Sequence, residues 1–176
     1  GYASPKTLIS VFCKNCRSDI AELDPDFMNG VPAIFNRVRK TVTEKMLSAP
    51  WIVRTMFQAA VAFKQKVYVD AGCEPRLLWV PLLTLVDALV FQPVKRQIFC
   101  DRLSTVFIGG SPLSTELQRY LQTILPNVNI SQGYGLTESC GPVCAMQPGD
   151  VAVNTVWCIY PNYEVKLVDA EEMGYT

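Results

Sequence analysis

The stretch LSTVFIGGSPLSTELQRYLQTILPNVNISQGYG, residues 103–135, decides the predicted fold. Its first part, LSTVFIGG (103–110), is typical of a buried strand that ends in two glycines and runs into a loop. Ser114 is a good N-cap for the helix that follows, and Pro126 marks the end of that helix. Residues 127–131 predict a second strand. The order strand, loop, helix, strand, loop is typical of a βαβ unit, so we expect an α/β fold.

Helical patterns precede this unit and a strand pattern follows it. Apolar residues recur at helical spacing after Pro32, and further helices are predicted over 51–69 and 82–99. Residues 8–12 predict a strand, and the alternation in residues 163–172 predicts another in a more open sheet. The whole pattern predicts a mostly parallel sheet with flanking helices.

The most apolar run is LLWVPLLTLVDALVF, residues 77–91. A helix that crosses a bilayer needs about 20 residues, and this run is shorter and contains Pro81 and Asp87. We therefore interpret it as a buried helix of the core.

The composition limits the classes of function. The chain of 176 residues has 16 basic and 16 acidic residues, a balance that argues against nucleic-acid binding through bulk charge. It has seven cysteines, and no secretory signal opens it, so we expect an intracellular protein with reduced thiols. The pairs Cys13–Cys16 and Cys140–Cys144 lie too far apart to favour a zinc site. With no histidine, the chain cannot by itself form a Ser-His-Asp hydrolase or a histidine-assisted thiol protease.

Two glycine-bearing loops, 109–112 and 132–135, each follow a predicted strand. Ligands collect at the carboxyl ends of the strands in parallel sheets, so neighbouring strands would bring these loops together. Tyr134 offers a ring on which a purine can stack, a contact that contributes about 1–3 kcal/mol for nucleic-acid bases. Thr137 could donate to a phosphate oxygen, and Glu138 could hold Mg²⁺. The alternative is a tight turn in which Tyr134 only packs and Thr137 and Glu138 begin a helix.

Adenylation of a carboxylic acid is a reaction that such a site could carry out without histidine. A carboxylate is already ionised at neutral pH, so its attack on an α-phosphate needs no general base. The obstacle is the repulsion between two anions, which Mg²⁺ and well-placed hydrogen-bond donors reduce.

The segment QGYGLTES, residues 132–139, resembles the adenylate-binding signature of the adenylate-forming acyl-CoA synthetases. FIGGSPLSTELQRYL, residues 107–121, is similar to the glycine-rich segment and helix that precede that signature. YEVKLVDAEEMGY, residues 163–175, resembles the eukaryotic-type long-chain fatty acyl-CoA synthetases in particular. Three further segments match in the family's order: 18–40, 89–106 and 146–150.

The resemblance implies that the chain is part of the large N-terminal domain of such a synthetase. Residues 1–150 would be an α/β portion that carries the adenylate-binding loops, and residues 151–176 would begin a β-rich subdomain. The resemblance places the family's phosphate loop before residue 1 and its C-terminal domain after residue 176. We therefore expect an internal fragment that has no ligase activity by itself.

The activity implied by the resemblance is the ATP-dependent activation of a long-chain fatty acid. An acyl-adenylate forms first, and coenzyme A then converts it to the thioester. ATP, Mg²⁺ and coenzyme A would take part, the partner would be the fatty acid, and no nucleic acid is expected. The protein would be cytoplasmic, with peripheral attachment to the cytosolic face of a membrane left open. Two alternatives also stay open: activation of a short-chain, aryl or amino acid, and a non-catalytic nucleotide-binding scaffold of the same fold.

The resemblance also assigns residues by position. Tyr134 would stack on adenine, Thr137 would bind phosphate, and Glu138 would bind Mg²⁺. Gly110, Ser111 and Pro112 would line the other face of adenine. Gln132 and Gly133 would contact its edge through the backbone. Gly133 and Gly135 would leave room for the acyl carboxylate. The chain departs from the family at Ile108, where a small residue is usual, and at Trp157, where glycine is usual.

Overall fold

A computed structural model of the chain describes residues 20, 23–72, 76–150, 152–156, 158–169 and 171–174. Within this part, five strands form one sheet in the order β1-β2-β3-β4-β5. The strands are β1 (Phe27–Gly30), β2 (Thr105–Ile108), β3 (Asn129–Leu136), β4 (Gly141–Ala145) and β5 (Cys158–Ile159).

The sheet is mixed. β1 pairs with β2 and β2 with β3 in parallel, whereas β4 is antiparallel to both β3 and β5. The α/β class and the parallel pairing of β2 with β3 are confirmed. The prediction of a mostly parallel sheet is wrong for the β4–β5 side, because a tight turn after β3 sends the chain straight back, and a tight turn can only join antiparallel strands.

Four helices accompany the sheet in the described part. They are α1 (Pro32–Ser48), α2 (Trp51–Lys64), α3 (Leu77–Ile98) and α4 (Thr115–Ile124). α2 continues as a π-helix over Gln65–Val69, and α3 contains a second π-helical segment over Asp87–Phe91. The predicted helices are confirmed, although α3 begins at Leu77 and not at residue 82.

The central βαβ unit forms as predicted. The Ser114 hydroxyl caps α4 by accepting a hydrogen bond from the Leu117 N–H at 3.3 Å. Leu117, Leu121 and Ile124 lie on one face of the helix and are buried. α4 ends before Pro126, which cannot supply the N–H that another helical turn needs.

The helices and the sheet share one core. Alternation along the strands turns Val106, Ile108 and Ile130 to the same face, and all three belong to the buried cluster that includes the helix residues Phe35, Phe91 and Leu121. On the opposite face Phe27 and Asn29 are exposed and Phe107 is half-buried.

The prediction that residues 77–91 form a buried helix is wrong. α3 has 22 residues, and in its most apolar 18-residue window only 11% are buried. Leu77, Leu78 and Leu89 are 87%, 81% and 68% exposed, whereas Leu83 and Phe91 pack into the core. By length and composition this helix could cross a membrane, because it runs past the apolar segment to Ile98. Length and composition alone do not make it a membrane span.

A buried ion pair joins α2 to α3. The Lys64 side chain is 2% exposed, and its Nζ lies 2.5 Å from Oδ1 of Asp87. The same Nζ lies 4.9 Å from the ring centroid of Phe91 and 5.6 Å from that of Tyr68. Asp87, which argued against a membrane span in the sequence, is therefore the partner of a buried cation.

The prediction of a strand over 163–172 is wrong. Residues 163–169 have no regular structure, Leu167 is 92% exposed, and Glu171–Met173 form a 3₁₀ turn. A strand needs a neighbour for its N–H and C=O groups, and no described strand pairs with these residues. The strand predicted over 8–12 lies outside the described residues, and the boundary at residue 150 stays a prediction.

Candidate functional site

The segment that was predicted as a loop after β3 is a β-hairpin. β3 continues through residues 132–136, Thr137–Cys140 form the hairpin turn, and β4 returns antiparallel. A shift of register between Tyr134 and Gly135 marks a bulge in the hairpin. Neither the loop nor the alternative helix start is correct, because β4 extends the ladder of backbone hydrogen bonds along β3 beyond residue 131.

The two glycine segments lie side by side at the carboxyl edge of the parallel strands. Ile108 pairs with Gln132 in the β2–β3 register, so the glycine loop 109–112 leaves the sheet beside residues 133–135. A Cβ atom placed on Gly109 would lie 3.5 Å from the carbonyl oxygen of Gly133. The prediction that neighbouring strands bring these segments together is confirmed.

This edge combines an aromatic ring with backbone of little side-chain bulk. Tyr134 is 51% exposed, and Gly110 has φ +79°, which favours glycine. Ser111 and Pro112 are exposed, and the Ser111 hydroxyl donates to the Gly110 carbonyl at 2.8 Å. A half-exposed ring beside an accessible backbone segment can stack against a planar ligand, so these residues fit an adenine.

Gln132 lies beneath this edge. Its side chain is 7% exposed, and its Oε1 accepts no hydrogen bond from the residues that the structure describes. Its backbone carbonyl already accepts from the Met146 N–H at 2.9 Å. The backbone contact to the edge of adenine that was predicted for Gln132 and Gly133 stays a prediction.

Thr137 and Glu138 occupy the tip of the hairpin, and both are exposed. In the part of the chain that the structure describes, no cluster of three histidine, cysteine, aspartate or glutamate residues forms a ready-made metal site. Mg²⁺ commonly takes one or two carboxylates and completes its shell with substrate phosphates and water. An exposed Glu138 carboxylate beside the Thr137 hydroxyl fits an ion that is held jointly with phosphates.

Two residues that the sequence analysis missed hold this turn. The Ser139 hydroxyl accepts from the Leu136 N–H at 2.9 Å, and its proton lies within reach of the carbonyls of Leu136 and Gly141. The Tyr163 hydroxyl donates to the Ser139 carbonyl at 2.6 Å. A serine in a turn is a familiar sequence signal, but no local pattern points to Tyr163, which lies 24 positions away.

Gly133 and Gly135 face atoms of the protein itself. A Cβ on Gly135 would lie 2.2 Å from the carbonyl oxygen of Gly141 and 2.7 Å from the Cα of Pro142, and a Cβ on Gly133 would lie 2.1 Å from the Phe107 ring. The hairpin therefore requires glycine at residue 135 whether or not a ligand is present. The room for an acyl carboxylate that was assigned to these glycines stays a prediction.

Replacing Gly135 with alanine is expected to open the hairpin at its bulge. The new methyl group meets backbone atoms, which cannot rotate away, and overpacking of this kind costs about 1–3 kcal/mol. The measurement is the free energy of unfolding from urea titrations of the intact protein that carries this chain. Gly109→Ala is the matched control, because its Cβ would meet its nearest neighbour at an ordinary 3.5 Å. Equal stability of the two variants would contradict the clash.

The remaining features lie away from this edge. Ile108, one of the two departures from the family, is fully buried at the end of β2, and the other, Trp157, lies outside the described residues. Burial raises the pKa of the Cys100 thiol, which precedes β2 and so lies at the opposite end of the strand from the glycine loop. That thiol is poorly suited to act as a nucleophile.

Comparisons with known proteins show which family the chain matches. Residues 4–176 match the family described as AMP-binding enzyme. The chain is 31% identical over 175 residues to a protein of Saccharomyces cerevisiae named long-chain-fatty-acid–CoA ligase 3, covering 99% of the chain and 23% of that protein. It is 33% identical over 177 residues to long-chain-fatty-acid–CoA ligase 2 of Schizosaccharomyces pombe, covering 99% and 24% respectively.

A plant protein has a similar level of identity to the chain. Long chain acyl-CoA synthetase 8 of Arabidopsis thaliana is 33% identical over 184 residues, covering 99% of the chain and 24% of that protein. The chain thus spans about a quarter of the length of the curated relatives that it matches. The family match extends over nearly every residue and includes both the glycine loop and the hairpin, and the chain therefore belongs to the AMP-binding enzyme family.

Proposed function

We propose that the intact protein carrying this chain is a long-chain fatty acid–CoA ligase that activates its substrate with ATP. The observation that carries the proposal is the parallel register of β2 and β3, which sets the glycine loop beside Tyr134 at one edge of the sheet. The names of the relatives support the substrate class, because the yeast proteins are named for long-chain fatty acids and coenzyme A. Membership of the AMP-binding family supports the use of ATP.

In this proposal the chain contributes the adenylate half of the site. Tyr134 stacks on one face of adenine, and the backbone of Gly110, Ser111 and Pro112 lies against the other. Thr137 donates to a phosphate oxygen from the tip of the hairpin. These contacts fix the α-phosphate in line with the attacking carboxylate, and such positioning lowers the barrier of a reaction between two bound groups.

The remaining obstacle is charge. Neither the carboxylate nor the phosphates need a proton transfer from this chain for the first step, which is consistent with the absence of histidine from the sequence. Bound Mg²⁺ would offset the negative charge of the phosphates and of the departing pyrophosphate. Glu138 is the residue of this chain that would hold the ion.

We also propose the thioester step, the fatty-acid pocket and the location in the cell. Coenzyme A and the acid are inferred from the named relatives. We propose that the protein is cytoplasmic or attached to the cytosolic face of a membrane. The second location is included because long-chain acids partition into membranes.

The test is ATP–pyrophosphate exchange by the intact protein with acids of increasing chain length, benzoate and amino acids. We expect exchange that depends on long-chain acids. Exchange that depends on a short-chain, aryl or amino acid would support adenylation but show that the substrate is not a long-chain fatty acid. If no acid supports exchange although calorimetry shows that ATP binds, the protein is a nucleotide-binding scaffold and the proposal is wrong.

A further inference from the structure

We infer that Tyr163 is a positioning residue for the Thr137–Glu138 turn. This inference rests on the proposed function, because it concerns the same site, and it gives Tyr163 a role that the sequence analysis did not assign to it. The hydroxyl of Tyr163 donates to the carbonyl of Ser139 at 2.6 Å, directly after Glu138.

The segment that carries Tyr163 is itself tied to the hairpin. The Tyr160 N–H donates to the Val143 carbonyl of β4 at 2.9 Å, and the Tyr163 N–H donates to the Tyr160 carbonyl at 3.0 Å. This second bond closes a turn over Pro161 and Asn162, in which proline fixes φ at the first central position. A closed path of hydrogen bonds therefore runs from the middle of β4, through this turn, to the tip of the same hairpin.

The hairpin turn is also braced from inside. Its backbone is closed by the Ser139 N–H, which donates to the Leu136 carbonyl at 3.2 Å, and by the Cys140 N–H, which donates to the Thr137 carbonyl at 3.1 Å. The Ser139 hydroxyl adds a bond from the Leu136 N–H at 2.9 Å. Ser139 is thus the residue at which the internal brace and the outer contact from Tyr163 meet.

An outer contact matters here because Thr137 and Glu138 are exposed, and Cys140 has φ +57°, in the left-handed region that non-glycine residues seldom adopt. The side chains that would meet phosphate and Mg²⁺ gain no support from burial. The Tyr163 hydroxyl restricts the backbone immediately after them. Its loss would leave both side chains present but spread over more positions, which weakens binding without removing a ligand.

The experiment compares Tyr163→Phe with Tyr160→Phe in the intact protein. Each change removes one phenolic hydroxyl, and the two residues lie in the same turn. Amide hydrogen exchange of the peptide covering 136–141 is the first readout, and it needs no activity. We expect faster exchange in Tyr163→Phe and no change in Tyr160→Phe. Equal exchange in the two variants would overturn the inference, whatever the protein's activity.

The second readout is ATP–pyrophosphate exchange as a function of the Mg²⁺ concentration. For Tyr163→Phe we expect the half-saturating Mg²⁺ concentration to rise about 2- to 10-fold, the factor that one ordinary hydrogen bond is worth, with kcat changed less. Faster amide exchange with an unchanged Mg²⁺ response would make Tyr163 a structural residue only, and the positioning role would be wrong. If the unaltered protein shows no pyrophosphate exchange, the proposed function fails, and the amide readout still decides whether Tyr163 holds the turn.

Discussion

Glu138→Gln is expected to lower the rate of fatty-acid-dependent ATP–pyrophosphate exchange by about 100-fold or more. A bound metal ion contributes several kcal/mol to stabilising negative charge in the transition state, and about 1.4 kcal/mol corresponds to a factor of ten in rate. The amide of glutamine keeps the size of the side chain but loses its charge. Because Glu138 is exposed at the tip of the turn, the change should leave the free energy of unfolding almost unaltered.

The control for this prediction is Glu44→Gln. Glu44 is an exposed carboxylate on α1, 62% exposed and 3.9 Å from Lys40, so its loss changes the net charge by the same amount. We expect normal exchange in that variant. Higher Mg²⁺ concentrations should restore part of the activity of Glu138→Gln if the carboxylate holds the ion. An exchange rate within about threefold of that of the unaltered protein would show that Glu138 does not hold the metal ion.

Asp87→Ala is expected to destabilise the fold by about 3 kcal/mol. Removing one partner of a buried ion pair usually costs about 3–5 kcal/mol, because the other charge stays buried without compensation of equal strength. Lys64 is 2% exposed, and its contacts with Tyr68 and Phe91 persist in the variant. Asp87 is itself 23% exposed, which places the expected cost at the lower end of the range.

The measurement is urea unfolding followed by tryptophan fluorescence. One of the chain's three tryptophans, Trp79, lies on α3 with its ring centroid 5.9 Å from that of Phe63 on α2. Asp101→Ala is a matched control: its carboxylate lies 2.5 Å from Arg96, but the two side chains are 58% and 64% exposed. An exposed pair contributes at most about 1 kcal/mol. The double variant Lys64→Met/Asp87→Leu should recover most of the stability, since an apolar pair of similar volume carries no buried charge. Equal losses in Asp87→Ala and Asp101→Ala would contradict a special role for burial.

The central βαβ unit was predictable because its signals are local. Ser114, the apolar spacing of α4 and Pro126 all act within a few residues of the structure that they determine. The parallel neighbours β2 and β3, and with them the meeting of the glycine loop with Tyr134, follow from the same unit. That part of the candidate site could therefore be predicted from the sequence.

The hairpin could not be predicted in this way. β4 has the sequence GPVCA, which contains glycine and proline and lacks the alternation of a typical strand. It becomes a strand because β3 and β5 lie on either side of it. Likewise, the apolar run of α3 contains no information on which of its faces is covered, so the exposure of Leu78 and Leu89 was unforeseen. Such features depend on distant partners and not on local pattern.

The sheet topology also sets the order in which the two halves of the candidate site can form during folding. The β3–β4 hairpin pairs residues close in sequence, such as Leu136 with Gly141, and hairpins of this kind close within microseconds. β1, in contrast, meets β2 only across the whole helical crossover, pairing Phe27 with Thr105. The entropy of closing so long a loop makes that pairing slow. The turn with Thr137 and Glu138 can therefore form first. The β2–β3 pairing that sets the glycine loop beside Tyr134 follows across the shorter crossover through α4, and β1 joins the sheet last.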